Sequence, residues 1–418
     1  MNTRAKNRLA IAGGKPVRTK PFPIKWPVIG KEERQNLLSV FDSGKWWYGE
    51  KVAEFEKKYA AFQNAKYGVS CTNGTVAIEI ALLACGIGAG DEVIVPPYTF
   101  MATASAVLKV NAIPVFADID LNTGNLDPKA AAKAITAKTK AIMPVHFAGL
   151  PVDVDAFKAL ARKHKLRLIE DACHSWGSQW KGKGTGALGD CGVFSFQMSK
   201  NITAGEGGIL LTDNEKIADA ARSYSNCGRG KGKAFYEHYL LGSNLRMTEL
   251  QAAILLGQLT RLKEQTIKRQ KNAVLLDKGL KNIPGIALLK NDPRVTRRSY
   301  HLYIFRFVTE AWGGVSRETF LNALKAEGIS VWSGYPIPLY KNPLFQKSGK
   351  GPRYCPLSCP YYGKKIDYTR VSCPNSERIC KEACWIVQKD LLAEPSDMQD
   401  IIAAVAKVWE HRKELRHE

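Results

Sequence analysis

The chain has 418 residues, 45% hydrophobic and 24% charged, an ordinary globular composition and enough length for two domains or one large one with a satellite. No apolar run approaches the roughly 18 residues of a membrane helix, and the basic N-terminus lacks the apolar stretch of a signal peptide, so a soluble cytoplasmic protein without a membrane partner is expected. The net charge of +22 is spread along the chain, with concentrations at residues 1–20 and 341–371 and no zinc-finger or RRM pattern beside them, so a basic solvated surface is expected rather than a nucleic-acid site.

The first strand-like run, YGVS at 67–70, leads through CTNGT into the helix-period segment TVAIEIALLACG. Asn-Gly is a turn dipeptide. The same turn is a candidate phosphate site. Gly74 admits a close approach, Thr75 offers a hydroxyl, and the following helix directs N–H groups and its positive end at an anion. DEVIVP follows at 91–96, then PPYTF with Phe100, an aromatic that either packs in a core or stacks on a flat ring. IPVFAD, KAIMPVHF, the helix-like VDAFKALARKHK and LRLIED continue the alternation. Such alternation predicts an α/β fold with a mostly parallel sheet covered by helices on both faces.

LRLIED ends on Asp171, at the carboxyl end of a predicted strand, where open α/β sheets bind ligands. A carboxylate there is either a cap or a buried group that keeps a heterocyclic nitrogen protonated. His174, three residues on, is either structural or a hydrogen-bond partner for a neighbouring oxygen. GVFSF and GGILLT then flank the loop that holds Lys200 among Ser, Thr and Gly. A lysine in a small, partly desolvated pocket has a lowered pKa and becomes a usable nucleophile. Its amine can form a Schiff base with an aldehyde. A pyridoxal phosphate (PLP) site needs such a lysine, a carboxylate for the pyridine nitrogen, a stacking aromatic and a phosphate cup at a helix N-terminus. Lys200, Asp171, Phe100 and the Gly74–Thr75 turn are candidates for these parts.

A long helix is predicted over 248–280, with Leu250, Ile254, Leu255, Leu259 and Leu262 on one stripe. The domain boundary is expected near 265–275, giving a large α/β domain over 1–270 and a smaller α+β domain over 271–418. In the latter, YHLYIFRFV reads as a strand, SRETFLNALKAEG as a helix, and Ser396 with Gln399 as a capping box. Of ten cysteines, five fall between Cys355 and Cys384, spaced C-x3-C, thirteen residues, C-x6-C-x3-C. That is not zinc spacing, so free thiols and no metal are expected.

The chain resembles the PLP-dependent sugar aminotransferases of the DegT/DnrJ/StrS family. The resemblance lies in SGKWWYGEKVAEFEKKYAA (43–61), SCTNGTVAIEIAL (70–82), GDEVIVPPYTF (90–100), IEDACHSWGS (169–178), FSFQMSKNITAGEGG (194–208) and GSNLRMTELQAA (242–253). It implies the type I PLP-dependent transferase fold, with Lys200 as the Schiff-base lysine and Asp171 as partner of the pyridine nitrogen. It also implies His174 near the cofactor's 3-hydroxyl, Phe100 stacking, and Gly74, Thr75 and Ser195 on the phosphate. Asn244 matches an asparagine that reaches the phosphate from a neighbouring subunit, which implies a homodimer with shared sites. LAIAGGKPVR (9–18) and GYPIPLYKNPLF (334–345) look like members that act on cyclitols or form amino-hydroxybenzoate. The implied reaction moves an amino group from L-glutamine or L-glutamate to the keto group of a sugar or cyclitol. Two alternatives stay open. One is PLP-dependent dehydration or aromatisation by the same residues. The other is a non-catalytic basic regulatory or nucleic-acid-binding protein, supported by charge alone. The cysteine-rich stretch and the doubled Trp46-Trp47 depart from the family pattern.

Overall fold

The apolar runs between residues 67 and 212 form one seven-stranded sheet in the computed structural model, which describes residues 8–346 and 361–417. The strands are β1 (Tyr67–Cys71), β2 (Glu92–Val95), β3 (Ile113–Phe116), β4 (Thr139–Ile142), β5 (Arg167–Asp171), β6 (Cys191–Ser195) and β7 (Gly208–Thr212). Their spatial order is β1-β7-β6-β5-β4-β2-β3. The four pairings from β6 to β3 are parallel, and β7 lies antiparallel between β1 and β6. Strands β2, β6 and β7 are buried throughout, which is why they read as continuous apolar runs.

Helices cover both faces. Gly74–Ala84, Ala102–Lys109 and Glu215–Ser225 share a core with Val93, Ile169, Val193 and Leu210. On the opposite face, Ile209 and Leu211 pack with Glu50–Phe62 and the start of the long helix. This alternation along β7 is the period-2 pleat of a strand buried on both sides. Because β1, β2, β4, β5 and β6 run the same way, the segments that follow them all leave at one edge of the sheet.

A second, antiparallel sheet is built from β8 (Ile286–Leu288), β9 (Leu302–Phe307), β10 (Trp332–Ser333) and β11 (Ala383–Val387), in the order β8-β9-β11-β10. It shares a core with Trp312, Phe320, Ile401 and Val405, into which N-terminal Leu9 and Val17 also pack. The helix Glu249–Leu280 joins the two cores without a break: Leu255 and Leu262 enter the first, Leu276 and Leu280 the second. The expected boundary falls inside it. Of the expected stripe only Leu255 and Leu262 are buried; Leu250, Ile254 and Leu259 are half-buried. The helices Lys31–Ser43 and Glu50–Phe62 pack beside it, so Ala252, Ala253 and Leu256 are also drawn inward.

The last helix begins at Pro395, not after Ser396. Proline is pre-organised for the first helical position. The Asp397 carboxylate accepts from the Glu394 N–H at 2.8 Å, so the box is formed by Glu394 and Asp397 rather than Ser396 and Gln399. Cys355 and Cys359 lie outside the described residues; Cys373, Cys380 and Cys384 are buried thiols. Among the described residues, no group of three or more His, Cys, Asp or Glu could hold a metal, and no helix is long and apolar enough to cross a membrane.

Candidate active site

Strand β5 ends on Asp171, which is only 4% exposed. Its carboxylate accepts the Thr103 hydroxyl at 2.8 Å and the Cys173 N–H at 3.1 Å. Since the Thr103 proton goes to the carboxylate, the 3.1 Å contact between Thr99 and Thr103 is donated by Thr99. No ion pair reaches Asp171 among the described residues. A carboxylate has about four acceptor positions, so two bonds leave room for a further donor.

Lys200 lies beyond β6, half-buried, with its amine 5.7 Å from the centre of the Trp176 ring. Trp176 is pinned by its indole N–H, which donates to the Ser195 carbonyl at 3.0 Å. Burial pushes the Lys200 pKa down, against the pull of Cys173, Asp171 and Glu206. The result is a larger unprotonated fraction at neutral pH. The loop returns through Gly205, at φ 82°, a conformation that favours glycine. At Gly208 a Cβ would sit 2.3 Å from the Asn73 carbonyl oxygen, so the lysine loop closes directly onto the Asn73–Thr75 turn.

That turn is a cradle. Asn73 caps the helix Gly74–Ala84 by accepting the Val76 N–H at 3.0 Å. Gly74 faces the end of β6: a Cβ there would lie 2.5 Å from the Ser195 Cβ and 3.0 Å from its hydroxyl. Gly74, the half-buried Thr75 and Ser195 therefore meet around a helix N-terminus, where N–H groups lack intrahelical partners. Gly74→Ala forces these elements apart, an overpacking that costs about 1–3 kcal/mol. A loss of about tenfold or more in PLP affinity is expected. Titration of the apoprotein with PLP checks this, and an unchanged Kd would remove the cradle from the site.

His174 is buried with its Nδ1 unpartnered. Its ring lies between Phe147, at 5.6 Å, and His301, at 4.5 Å. Burial, and then the charge of Lys200, hold its pKa well below the usual histidine value, so the imidazole is neutral at neutral pH. A buried polar atom without a partner is costly, and a bound group that reached Nδ1 would relieve that cost.

Phe100 stands just before the helix that supplies Thr103 and is 58% exposed. Asn244 is exposed, bridges to Asn226, and precedes Leu245, whose carbonyl accepts from Thr72, the residue before the cradle. Several neighbours of the site carry no local sequence signal. Tyr335 comes from the C-terminal region and packs on Trp385 at 4.9 Å and Phe147 at 6.2 Å. Burial, reinforced by Asp171, raises its pKa and keeps it a neutral phenol. The period of Thr99 and Thr103, four residues apart after a strand, is a signal that could have found the Asp171 donor.

PLP fits these residues. The unpartnered His174 nitrogen, the cradle that a Cβ at Gly74 would fill, and the spare acceptor capacity of Asp171 each suit one part of that cofactor. A mostly parallel sheet with this lysine, carboxylate and cradle at its carboxyl edge defines a PLP-dependent transferase of the type I fold. The chain belongs to the DegT/DnrJ/EryC1/StrS aminotransferase family, which matches residues 27–359, and it is a PLP-dependent aminotransferase. It is 40% identical to a Micromonospora echinospora protein provisionally named L-glutamine:3-amino-2,3-dideoxy-scyllo-inosose aminotransferase, over 98% of this chain and 99% of the relative. It is 37% identical to the L-glutamine:2-deoxy-scyllo-inosose aminotransferase of Streptoalloteichus tenebrarius, with 98% and 99% covered. The crystal structure of 3-amino-5-hydroxybenzoic acid synthase superposes with a TM-score of 0.83 at 33% identity, covering 93% of this chain and 98% of that one.

Proposed function

We propose that this protein transfers the amino group of L-glutamine, or of L-glutamate, to the keto group of a cyclitol or a related keto-sugar. The observation that carries the site is the meeting of Lys200, Asp171, His174 and the Gly74–Ser195 cradle at one sheet edge. The substrate class follows the names of full-length relatives at 37–40% identity.

Bound PLP supplies an aldehyde for an amine and a ring that accepts the electron pair left at the donor's Cα. The chain supplies the rest. Lys200 Nζ would anchor the cofactor, and once released it can take the proton from the donor's Cα as general base and deliver it as acid to the carbon that was the cofactor's aldehyde. Asp171 would hold a proton on the ring nitrogen, and His174 would face the ring oxygen. Phe100 would be the aromatic that stacks on the ring. Gly74, Thr75 and Ser195 would hold the phosphate.

The assembly proposed is a homodimer in which Asn244 of each subunit reaches the phosphate in the other. Exposed apolar side chains support it. Leu241 is 98% and Tyr236 86% exposed, and Phe41, Trp46, Trp47 and Phe235 are also exposed. Side chains of this kind become buried when a partner covers them. The eight cysteines among the described residues are free, which suits the cytoplasm as the site of action.

An absorption spectrum of the PLP-loaded protein tests the reading. A band near about 410–430 nm that gives way to one near about 330 nm on adding L-glutamine is the expected result. No visible band after loading would sink the site. A band indifferent to both glutamine and glutamate would sink the donor. With a keto-cyclitol as acceptor, an aminocyclitol is the expected product; a dehydrated or aromatised one would favour elimination instead.

A further inference from the structure

His301 is a second buried imidazole beside Lys200, in the residue just before β9 of the C-terminal sheet. Its ring lies 4.5 Å from that of His174, tilted by 42°, and 5.3 Å from that of Trp176, edge-on at 70°. Its Nδ1 is 3.1 Å from the Asn201 Oδ1. Asn201 is oriented from its other side, where Nδ2 donates to the Ser299 carbonyl at 2.9 Å. An amide oxygen only accepts, so the proton of the His301–Asn201 bond belongs to His301 Nδ1.

The titratable and charged groups facing His301 are His174 and Lys200 from the sheet edge and Arg269 from the long helix. Burial first, and then these groups, hold its pKa well below the usual value. Arg269 is fully buried, gives Nε and one terminal nitrogen to Gln388, and has no carboxylate partner among the described residues. His301 is thus a neutral ring with a protonated Nδ1 and a bare Nε2.

His174, by contrast, has no hydrogen bond at Nδ1, so packing must set its ring plane. Phe147 supplies one wall and His301 the nearer one. Asn201 is the residue after Lys200, so the anchor of His301 moves with the lysine loop.

We propose that His301 is a positioning residue: anchored in one tautomer by Asn201, it fixes the plane of the neutral His174 ring, so that His174 offers a single N–H to the oxygen on the bound cofactor's ring. This rests on the reading of His174 as the contact to that oxygen. An N–H donated to an anionic oxygen stabilises its deprotonated form. Loosening His174 weakens that bond and makes proton binding tighter.

The test is the pH titration of the visible band of the PLP-loaded enzyme. His301→Phe keeps the ring volume and removes the link to Asn201. Its midpoint is expected to rise by about one pH unit. His174→Phe is expected to raise it at least as far. The double variant should show no more than the His174→Phe shift, the non-additivity of residues acting through one contact. His301→Gln, whose amide can donate to Asn201, is expected to recover most of the wild-type midpoint. Asn201→Ala leaves the His301 ring in place and is expected to raise the midpoint; it carries the test if His301→Phe does not fold. An unmoved midpoint in the folded variants, or additive shifts in the double variant, would overturn the role of His301. A wild-type protein with no visible band after loading would instead overturn the site reading itself.

Discussion

Lys200→Ala is expected to lower turnover by about 10⁴-fold or more, because one side chain holds both the cofactor and the proton that moves at the donor's Cα. Alanine leaves neither function. Lys200→Arg is expected to be as inactive: it keeps the positive charge, but a guanidinium does not deprotonate in proteins and so has no lone pair to give. The fold should survive both changes. The Lys200 amine faces the Trp176 ring and forms no ion pair with a carboxylate among the described residues, so its removal breaks no network. Circular dichroism and melting of the apoprotein check this. Single-turnover kinetics with L-glutamine checks the chemistry, and a variant that transaminates within tenfold of wild type would exclude Lys200 from its role.

The same lysine fixes a pH dependence. Its reactive form is the free amine, and burial lowers its pKa from the ordinary 10.5. The rate at which the apoprotein captures PLP should therefore rise with pH through a midpoint below 10.5 rather than at it. A capture-rate profile whose basic rise falls at or above the ordinary lysine value would show that the loop does not desolvate the amine.

Much of this site was legible because its parts are local. A strand that ends on a carboxylate, an Asn-Gly turn before a helix, and one lysine in a glycine-bounded loop each impose a short-range pattern, and the structure places all three at one edge. What was not legible comes from far along the chain. Asn201 and His301 are 100 residues apart, one in the loop after β6 and the other just before β9, so no spacing rule links them. Tyr335 and Trp385 reach the wall through the second sheet for the same reason. Strand direction was hidden too: β7 is buried on both faces, and GILLT reads alike whether its neighbours run parallel or antiparallel. The misplaced capping box had a readable cause, since Pro395 takes the first helical position before Ser396 can act as a cap. The doubled tryptophans also find places after the fact: Trp46 stacks on Phe41 at 5.6 Å, and Trp47 lies under the Arg246 guanidinium at 5.1 Å.

Asp171→Asn separates chemistry from architecture more sharply than any other change in the site. The substitution conserves shape. The asparagine oxygen can still accept the Cys173 N–H, and its amide can donate to the Thr103 hydroxyl, which then turns its own proton toward Thr99. Every polar group keeps a partner, while a buried carboxylate that forms no ion pair among the described residues is replaced by a neutral amide. Desolvating a carboxylate is costly unless it is paired, so the apoprotein should be as stable as wild type, within about 1 kcal/mol, or more stable. The loaded enzyme loses the charge that keeps the ring nitrogen protonated, and an amide cannot replace it. Turnover is expected to fall by about 10²–10⁴-fold, the range for loss of a positioned acid–base group. Melting temperatures of the apoproteins and kcat of the loaded enzymes decide between two accounts. Equal melting with lost turnover places Asp171 in the chemistry. A melting temperature that falls together with turnover would make it a structural cap at the end of β5, the humbler role that a carboxylate at a strand end also fits.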